Sequence, residues 1–421
     1  MSKKYAFLFL AALLAAITGW LLVSESVWVW PVRNTLQYQL LTRLYGPITE
    51  PLPGPTGALT GQIFDAARRP IAGARVLVPH RSGVTYSART DAAGQYTIEG
   101  IPPGRYRPVA GAPGFESVQF GRLAGDVVIS AGEELRVDAV LPPKAARNIA
   151  PGTDLALSNP AAVSCSSPLD SQALRYDISF NNNGQPGQPA FFYTPISATT
   201  GSDLPLLLAI YPGPADSWEC ASLPLAAAGY AVLATGPAYS FNLEADLDEL
   251  ERLLRFAAEG RFPATRAGQV GMLGGSYSSL HVQRLLQRGV ENSKAALILG
   301  PPTDLFEMRR QLESGGYIPP FGLDQAFVAL GLPDRVPLRY WEYSGAYQVG
   351  PNFPPLAIFH SRNDEIVPYQ QSELLAKNLD DVGAPYELHI FNGATHYLMD
   401  EGGGAEEIFT LALDFLARRF E

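Results

Sequence analysis

The chain has 421 residues, 47% of them hydrophobic, which is long for one ordinary domain and enough apolar material for two cores. Its formal net charge of −10, with no basic run, argues against a nucleic-acid partner. Cys165 and Cys220 are the sole cysteines and lack metal-like spacing, so no metal is expected; whether they pair stays open, because the sequence supplies no distance between them.

Lys3 and Lys4 precede an uncharged apolar run from Tyr5 to Val23. About nineteen residues at roughly 1.5 Å each match the roughly 30 Å of a bilayer core. Residues 1–23 therefore read as a membrane helix with a cytoplasmic N-terminus and the remainder extracytoplasmic. Trp20, Trp28 and Trp30 fall where an interfacial aromatic belt would lie. A secretory signal cleaved near Ser24-Glu25-Ser26 is the rival, but the small-residue pattern is poor and the apolar core long for a signal. In the juxtamembrane segment 24–55, Leu36, Leu40 and Leu44 share one side of a short helix over Val32 to Tyr45. The proline-rich connector from Pro47 to Pro55 follows, extended and stiff.

Residues 56–141 read as short strands with frequent turns. Gln62–Phe64, Ala74–Val78, Gln95–Ile98 and Leu135–Leu141 supply the alternation; Asp91-Ala-Ala-Gly94 and Pro102-Pro-Gly104 supply the turns. About eighty-five residues of this rhythm predict a small sandwich. The series Gly61–Asp65, Pro70–Ala74, Thr90–Tyr96 and Gly100–Tyr106 resembles the carboxypeptidase regulatory-like family, which implies a transthyretin-like sandwich acting as a spacer or adhesion module. No cluster of catalytic residue types occurs here, His80 reads as an exposed loop residue, and the sandwich's partner is unknown.

A Pro/Ala/Ser/Asn-rich linker spans 142–168. Beyond it, in 169–421, apolar strand runs at Leu204–Ile210, Tyr230–Ala234, Gln269–Leu273, Ala295–Leu299, Leu356–Phe359 and Tyr386–Phe391 alternate with helical patterns at Leu243–Glu259, Ser279–Arg288, Gln370–Val382 and Ala405–Phe420. Arg175–Phe180 and Ala190–Tyr193 predict an antiparallel hairpin ahead of them. The fold class is therefore an α/β-hydrolase: a mostly parallel sheet with helices on both faces, behind a membrane helix and a small all-β sandwich. Residues 303–347 read as an inserted cap; Tyr317, Phe321, Phe327 and Trp341 in it suit a pocket lining or a core equally.

The chemistry centres on Gly274-Gly275-Ser276-Tyr277-Ser278, a serine among small residues between a strand and a helix. Such a nucleophile elbow holds the serine backbone under strain and aims its Oγ above the sheet. Ser278 stands where the usual pattern has glycine. A serine needs a base, and the base an orienting acid, in the chain order Ser, Asp/Glu, His. Asp364 lies past the strand ending at Phe359, and His396 past the strand ending at Phe391, so all three fall at the carboxyl edge of one sheet. Glu365 competes with Asp364 for the acid, and His281 and His389 compete with His396, although one lies on a helix and the other within a strand; His360 helps shape the acid loop. The oxyanion hole combines the Tyr277 N–H with a donor after the first long strand, where Pro212 and Pro214 lack N–H groups and the Tyr211 phenol can serve.

Ile210-Tyr211-Pro-Gly-Pro214, Gly-Gly-Ser276-Tyr277, Asn-Asp364-Glu-Ile-Val-Pro368 and Thr-His396 together resemble the catalytic domain of the prolyl oligopeptidase family, shading into dienelactone-hydrolase-like esterases. The resemblance spans roughly Leu204 to Glu421. It implies a catalytic Ser276–Asp364–His396 triad, with the oxyanion held by Tyr277 N–H and Tyr211 O–H and no cofactor. Ser278 and Pro212 depart from the pattern, and the family's propeller is missing, which favours esters over peptides. The expected function is thus a membrane-anchored, extracytoplasmic serine hydrolase of small-molecule esters or peptides; the alternative is a catalytically silent binding protein of the same fold.

Overall fold

The computed structural model describes residues 48–420 apart from 122–124, 146–151, 200, 237–242, 290–292, 315–326, 328–329, 394, 397 and 399–403, with scattered positions before 48. The helices expected over 1–23 and Val32–Tyr45 lie almost wholly outside the described residues, as do Tyr317 and Phe321. Among those described, no helix is long and apolar enough to cross a membrane.

Alternating burial builds the N-terminal sandwich. Its strands are β1 (Gly57–Asp65), β2 (Arg75–Pro79), β3 (Thr85–Arg89), β4 (Gln95–Ile101), β5 (Gly104–Tyr106), β6 (Val109–Gly111), β7 (Val118–Gln119), β8 (Val127–Ile129), β9 (Glu134–Arg136) and β10 (Ala139–Leu141). One sheet runs β10-β1-β4 with β9 also on β1, a second runs β3-β2-β6-β7, and β5 pairs β8. The run predicted as a single strand over Leu135–Leu141 is two, both parallel to β1. The break falls at Val137, whose carbonyl accepts the buried Tyr96 hydroxyl at 2.7 Å. Leu59, Ile63, Val76, Val78 and Ile101 point inward and are fully buried.

The second unit is an eleven-stranded sheet. Two of its strands, β11 (Thr153–Leu157) and β12 (Ala161–Cys165), lie in the stretch read as linker, and both pair antiparallel with β13 (Ser171–Asn182). After the short β14 (Gln185–Pro186) come β15 (Ala190–Thr194), β16 (Leu204–Ile210), β17 (Ala231–Thr235), β18 (Thr265–Gly275), β19 (Ser293–Leu299), β20 (Leu356–Ser361) and β21 (Tyr386–Phe391). The spatial order is β11-β13-β15-β17-β16-β18-β19-β20-β21, and every pair from β17 onward is parallel. Near-continuous apolar strands suit a sheet covered on both faces.

The helices are α1 (Glu219–Ala227), α2 (Leu243–Ala258), α3 (Ser278–Arg288), α4 (Leu305–Glu313), α5 (Pro337–Glu342), α6 (Gln370–Val382) and α7 (Gly404–Phe420). Buried residues of α2, α3 and α6 form one core on the sheet, and those of α1 and α7 form another. Helix α1 is absent from the sequence reading because Pro224 interrupts it and residues 221–226 are all buried, which removes the amphipathic period. A Cys165–Cys220 disulfide joins β12 to α1.

Helices α4 and α5 form the cap. Leu77 and Val109 of the sandwich share one buried core with Leu305, Phe306, Met308, Tyr340 and Trp341. Trp341 Nε1 donates to Ser117 Oγ at 2.8 Å, and the Arg75 guanidinium lies 5.0 Å over the Tyr347 ring and bonds Asn378. The sandwich's apolar face therefore has a partner in the same chain.

Candidate active site

Strand β18 ends at Gly275 and α3 begins at Ser278, so Ser276 sits on the turn with φ at 52°, a left-handed conformation strained for a serine. Its N–H is tied to Leu299 O at 2.7 Å, and its carbonyl accepts from Ser279 N and Oγ. A methyl group on Gly274 would come within 2.7 Å of Val282 Cγ2, which explains the glycine there. Ser278 takes the last elbow position fully buried, and its Oγ has no hydrogen-bond partner among the described residues.

Ser276 Oγ lies 2.8 Å from His396 Nε2, and His396 Nδ1 lies 2.7 Å from Asp364 Oδ2. The Asp364 side chain is 1% exposed, yet its other oxygen accepts the Ile366 and Val367 N–H groups at 2.8 and 2.7 Å. Burial by itself raises this carboxyl. Hydrogen bonds from His360, His396 and Val367 outweigh it and hold Asp364 well below the usual carboxylate range. An ionised Asp364 only accepts, so His396 Nδ1 carries the proton and donates, leaving Nε2 to accept from Ser276 Oγ–H.

The competing residues separate cleanly. Glu365 accepts the His396 backbone N–H at 3.2 Å and so holds the histidine loop rather than the ring. His281 is buried against Asp246 at 3.1 Å, and His389 stacks on Phe359 at 5.0 Å. His360 does more than shape the acid loop. Its Nε2 lies 3.1 Å from the same Asp364 oxygen that His396 uses and 2.9 Å from Val367 O, and its Nδ1 lies 2.6 Å from Ser372 Oγ. Two acceptors on Nε2 require a proton there, so Ser372 can donate to Nδ1.

Sequence reasoning missed Gly300. It follows β19 with φ at 51°, its N–H donates to Phe359 O, and a Cβ there would stand 3.2 Å from His396 Cε1 and 3.3 Å from Asp364 Oδ2. A glycine directly after an apolar parallel strand, at the sheet's carboxyl edge, was the available signal.

Tyr211 directly follows β16, as expected, and its side chain is engaged beside α1. Its phenol is 2.8 Å from Ser222 Oγ on α1, and its ring stacks on Trp218 at 5.6 Å within the core of α1 and α7. Burial raises this phenol well above its ordinary value, so it stays protonated. The side chain is engaged by a neighbour that the sequence reading lacked, because α1 was unforeseen.

A cavity of about 60 Å³ opens beside Ser276. Tyr277 and Leu280 from the elbow, Pro302, Leu305, Met308, Phe327, Leu330 and Tyr343 from the cap region, and Ile366 and Val367 from the acid loop line it. Phe327 is thus both pocket lining and core, whereas Trp341 belongs to the core against the sandwich.

Residues 58–142 match the carboxypeptidase regulatory-like domain, and residues 244–421 match the prolyl oligopeptidase family. The second match begins after the Tyr211 loop. A search of the curated proteins finds no match. Similar solved structures include a propionate-bound thermophilic esterase from the planctomycete Thermogutta terrifontis at 15% identity, covering 56% of this chain and 90% of that one with a TM-score of 0.43. An acetyl ester-xyloside bifunctional hydrolase from Caldicellulosiruptor lactoaceticus is 19% identical, covering 55% and 88%, with a TM-score of 0.45. A truncated carbohydrate esterase from gut microbiota is 15% identical, covering 55% and 90%, with a TM-score of 0.41. The chain joins a carboxypeptidase regulatory-like domain to an α/β-hydrolase domain that matches the prolyl oligopeptidase family over 244–421, and it is a serine hydrolase.

Proposed function

We propose that the chain cleaves carboxylic esters, in preference to peptides, through an acyl-enzyme formed on Ser276. The observation that carries this is the continuous chain from Ser276 Oγ through His396 to a buried, ionised Asp364. His396 Nε2 takes the hydroxyl proton as Oγ attacks the carbonyl, then returns it to the leaving oxygen. Asp364 holds the imidazole in its Nδ1–H form and stabilises the imidazolium. Water repeats the sequence to release the acid. The Tyr277 N–H, next after the nucleophile, supplies one donor to the oxyanion. The Tyr211 phenol lies 2.8 Å from Ser222 Oγ and serves as the second donor when Ser222 donates in that bond, which leaves the phenol O–H free for the oxyanion.

The lean toward esters rests on the apolar cavity, which offers a peptide's amide groups few polar partners. We further propose that the chain is tethered by residues 1–23 with the hydrolase outside the cytoplasm. The uncharged run after Lys3 and Lys4 supports it, as does the Cys165–Cys220 disulfide, since such bonds persist in oxidising compartments.

Fluorophosphonate labelling of the full-length protein in detergent tests the chemistry. Wild type is labelled on Ser276 and turns over short acyl esters faster than blocked peptides, while Ser276→Ala is unlabelled. Equal labelling of the two proteins would falsify the assignment.

A further inference from the structure

We propose that the cavity beside Ser276 is an acyl pocket whose length limit is set by the β-sandwich, so that the enzyme selects esters of short, uncharged acyl groups. This rests on Ser276 being the nucleophile. The size follows from the volume: about 60 Å³, against roughly 30 Å³ as one water's share of the liquid, leaves room for only a few heavy atoms. The polarity follows from the lining. Leu280, Leu305, Met308, Phe327, Ile366 and Val367 face the space, and no charged side chain lines it among the described residues. A charged acyl tail would enter without a partner and lose its hydration.

The limit arises from what stands behind the lining. Leu305, Met308, Phe327, Ile366 and Val367 belong to the same buried core as Leu77 and Val109, which come from two strands of the sandwich. The sandwich also presses on the backbone of α4: a Cβ added to Gly83 would lie 2.2 Å from Phe306 O and 2.6 Å from Arg310 N. Beside it, Asp334 on the cap side pairs with Arg81 at 3.4 Å, and the Arg335 carbonyl accepts from Arg107 at 2.7 Å. The cap therefore cannot draw back from Ser276 without parting from the sandwich. Close-packed walls of this kind pass a volume change on to whatever sits in the pocket.

The experiment measures kcat/KM of the full-length protein in detergent on p-nitrophenyl esters from acetate to decanoate, with the monosuccinate ester as the charged probe. Specificity is expected to rise about fourfold per methylene while the pocket fills, as methylene burial predicts, and to fall once it is full. The monosuccinate should be at least tenfold worse than butyrate. Met308→Ala should move the optimum to longer chains and Met308→Phe to shorter ones; general loosening of the fold would move both variants the same way. Leu77→Ala, remote from the substrate, should blunt that fall.

A flat chain-length profile, a preference for monosuccinate, or an unchanged optimum in both Met308 variants overturns the proposal. An unchanged cut-off in Leu77→Ala overturns the sandwich's part in it. Fluorophosphonate labelling in parallel separates the two levels: labelled Ser276 with a flat profile rejects the pocket and keeps the nucleophile, whereas unlabelled Ser276 rejects both.

Discussion

The carboxyl edge of the sheet, which carries Ser276, Asp364 and His396, and the wall between cap and sandwich are held by different forces. At the edge, Ser276, Asp364 and His396 each stand just past a strand, and each is fastened by directed hydrogen bonds: Ser276 N–H to Leu299 O, Asp364 to two N–H groups, His396 N–H to Glu365. The wall has an apolar centre, with Leu77, Val109, Phe306 and Trp341 all essentially inaccessible, and adds polar contacts such as Trp341 Nε1 to Ser117 Oγ and Arg107 to the Arg335 carbonyl. The edge should therefore respond to changes in charge and donor geometry, and the wall to changes in volume.

The sharpest break is expected at the edge. Asp364→Asn keeps the shape but cannot hold His396 in its Nδ1–H form, and kcat should fall by about 10⁴ while the circular dichroism spectrum is unchanged. His360→Gln removes the second ring on the same carboxylate oxygen, and kcat should fall by about ten- to a hundredfold with KM little moved, since a displaced catalytic group loses about that much. If KM rises instead, His360 shapes the pocket and does not position the acid.

Phe306→Ala probes the wall. Its fully buried ring lies 5.2 Å from the Tyr340 ring, and truncation should lower stability by about 3–5 kcal/mol in denaturant melts. Acetate ester turnover should persist below the melting transition, because the catalytic bonds do not pass through Phe306. Loss of acetate turnover in the folded variant would show that wall and edge are coupled.

Asp304 caps α4 through Phe306 and Glu307 N–H and accepts the Tyr347 hydroxyl at 2.5 Å. Burial, the largest influence, raises its carboxyl from 3.8 to about 6 despite those hydrogen bonds. Between these values the folded state binds more protons than the unfolded, so this group's contribution to stability declines as pH rises through that window and is flat above it. Asp304→Asn keeps a competent cap and should lose that decline. Asp364 acts oppositely: its depressed carboxyl contributes stability above about pH 4, which is lost as pH falls below that. Melting wild type and Asp304→Asn between pH 4 and 8 checks the first sign, and extending the wild-type series below pH 4 checks the second.

The smallest effect is expected from Tyr211→Phe. A phenol bonded to Ser222 is worth about 1 kcal/mol to stability, and kcat should fall less than tenfold. A fall of 10²–10³ would instead mark an oxyanion donor, with Ser222 donating in the Tyr211–Ser222 bond.

Much of the edge was readable in the chain because its residues follow directly from strands. Connectivity places a residue after β18, β20 or β21 at the same rim, whatever the side chains elsewhere do. Gly300 escaped because a positive φ beside a remote histidine leaves no periodic trace. Helix α1, and with it the partner of Tyr211, escaped because a helix buried all round, with a proline inside, has neither the period nor the composition of a surface helix. The two strands in the supposed linker escaped because edge strands with exposed alternate residues resemble polar coil.

By itself, then, the sequence determined the α/β order, the elbow at Ser276 and the placement of Asp364 and His396 on neighbouring rim loops, since hydrophobic period and chain order are local properties. Tertiary structure alone decided that His360 shares Asp364 with His396, that Tyr211 is bonded to Ser222, and that Leu77 and Val109 back the cavity beside Ser276. No hydrophobic period or strand order encodes those contacts, and their energies depend on distances and burial that exist only after the cores have packed.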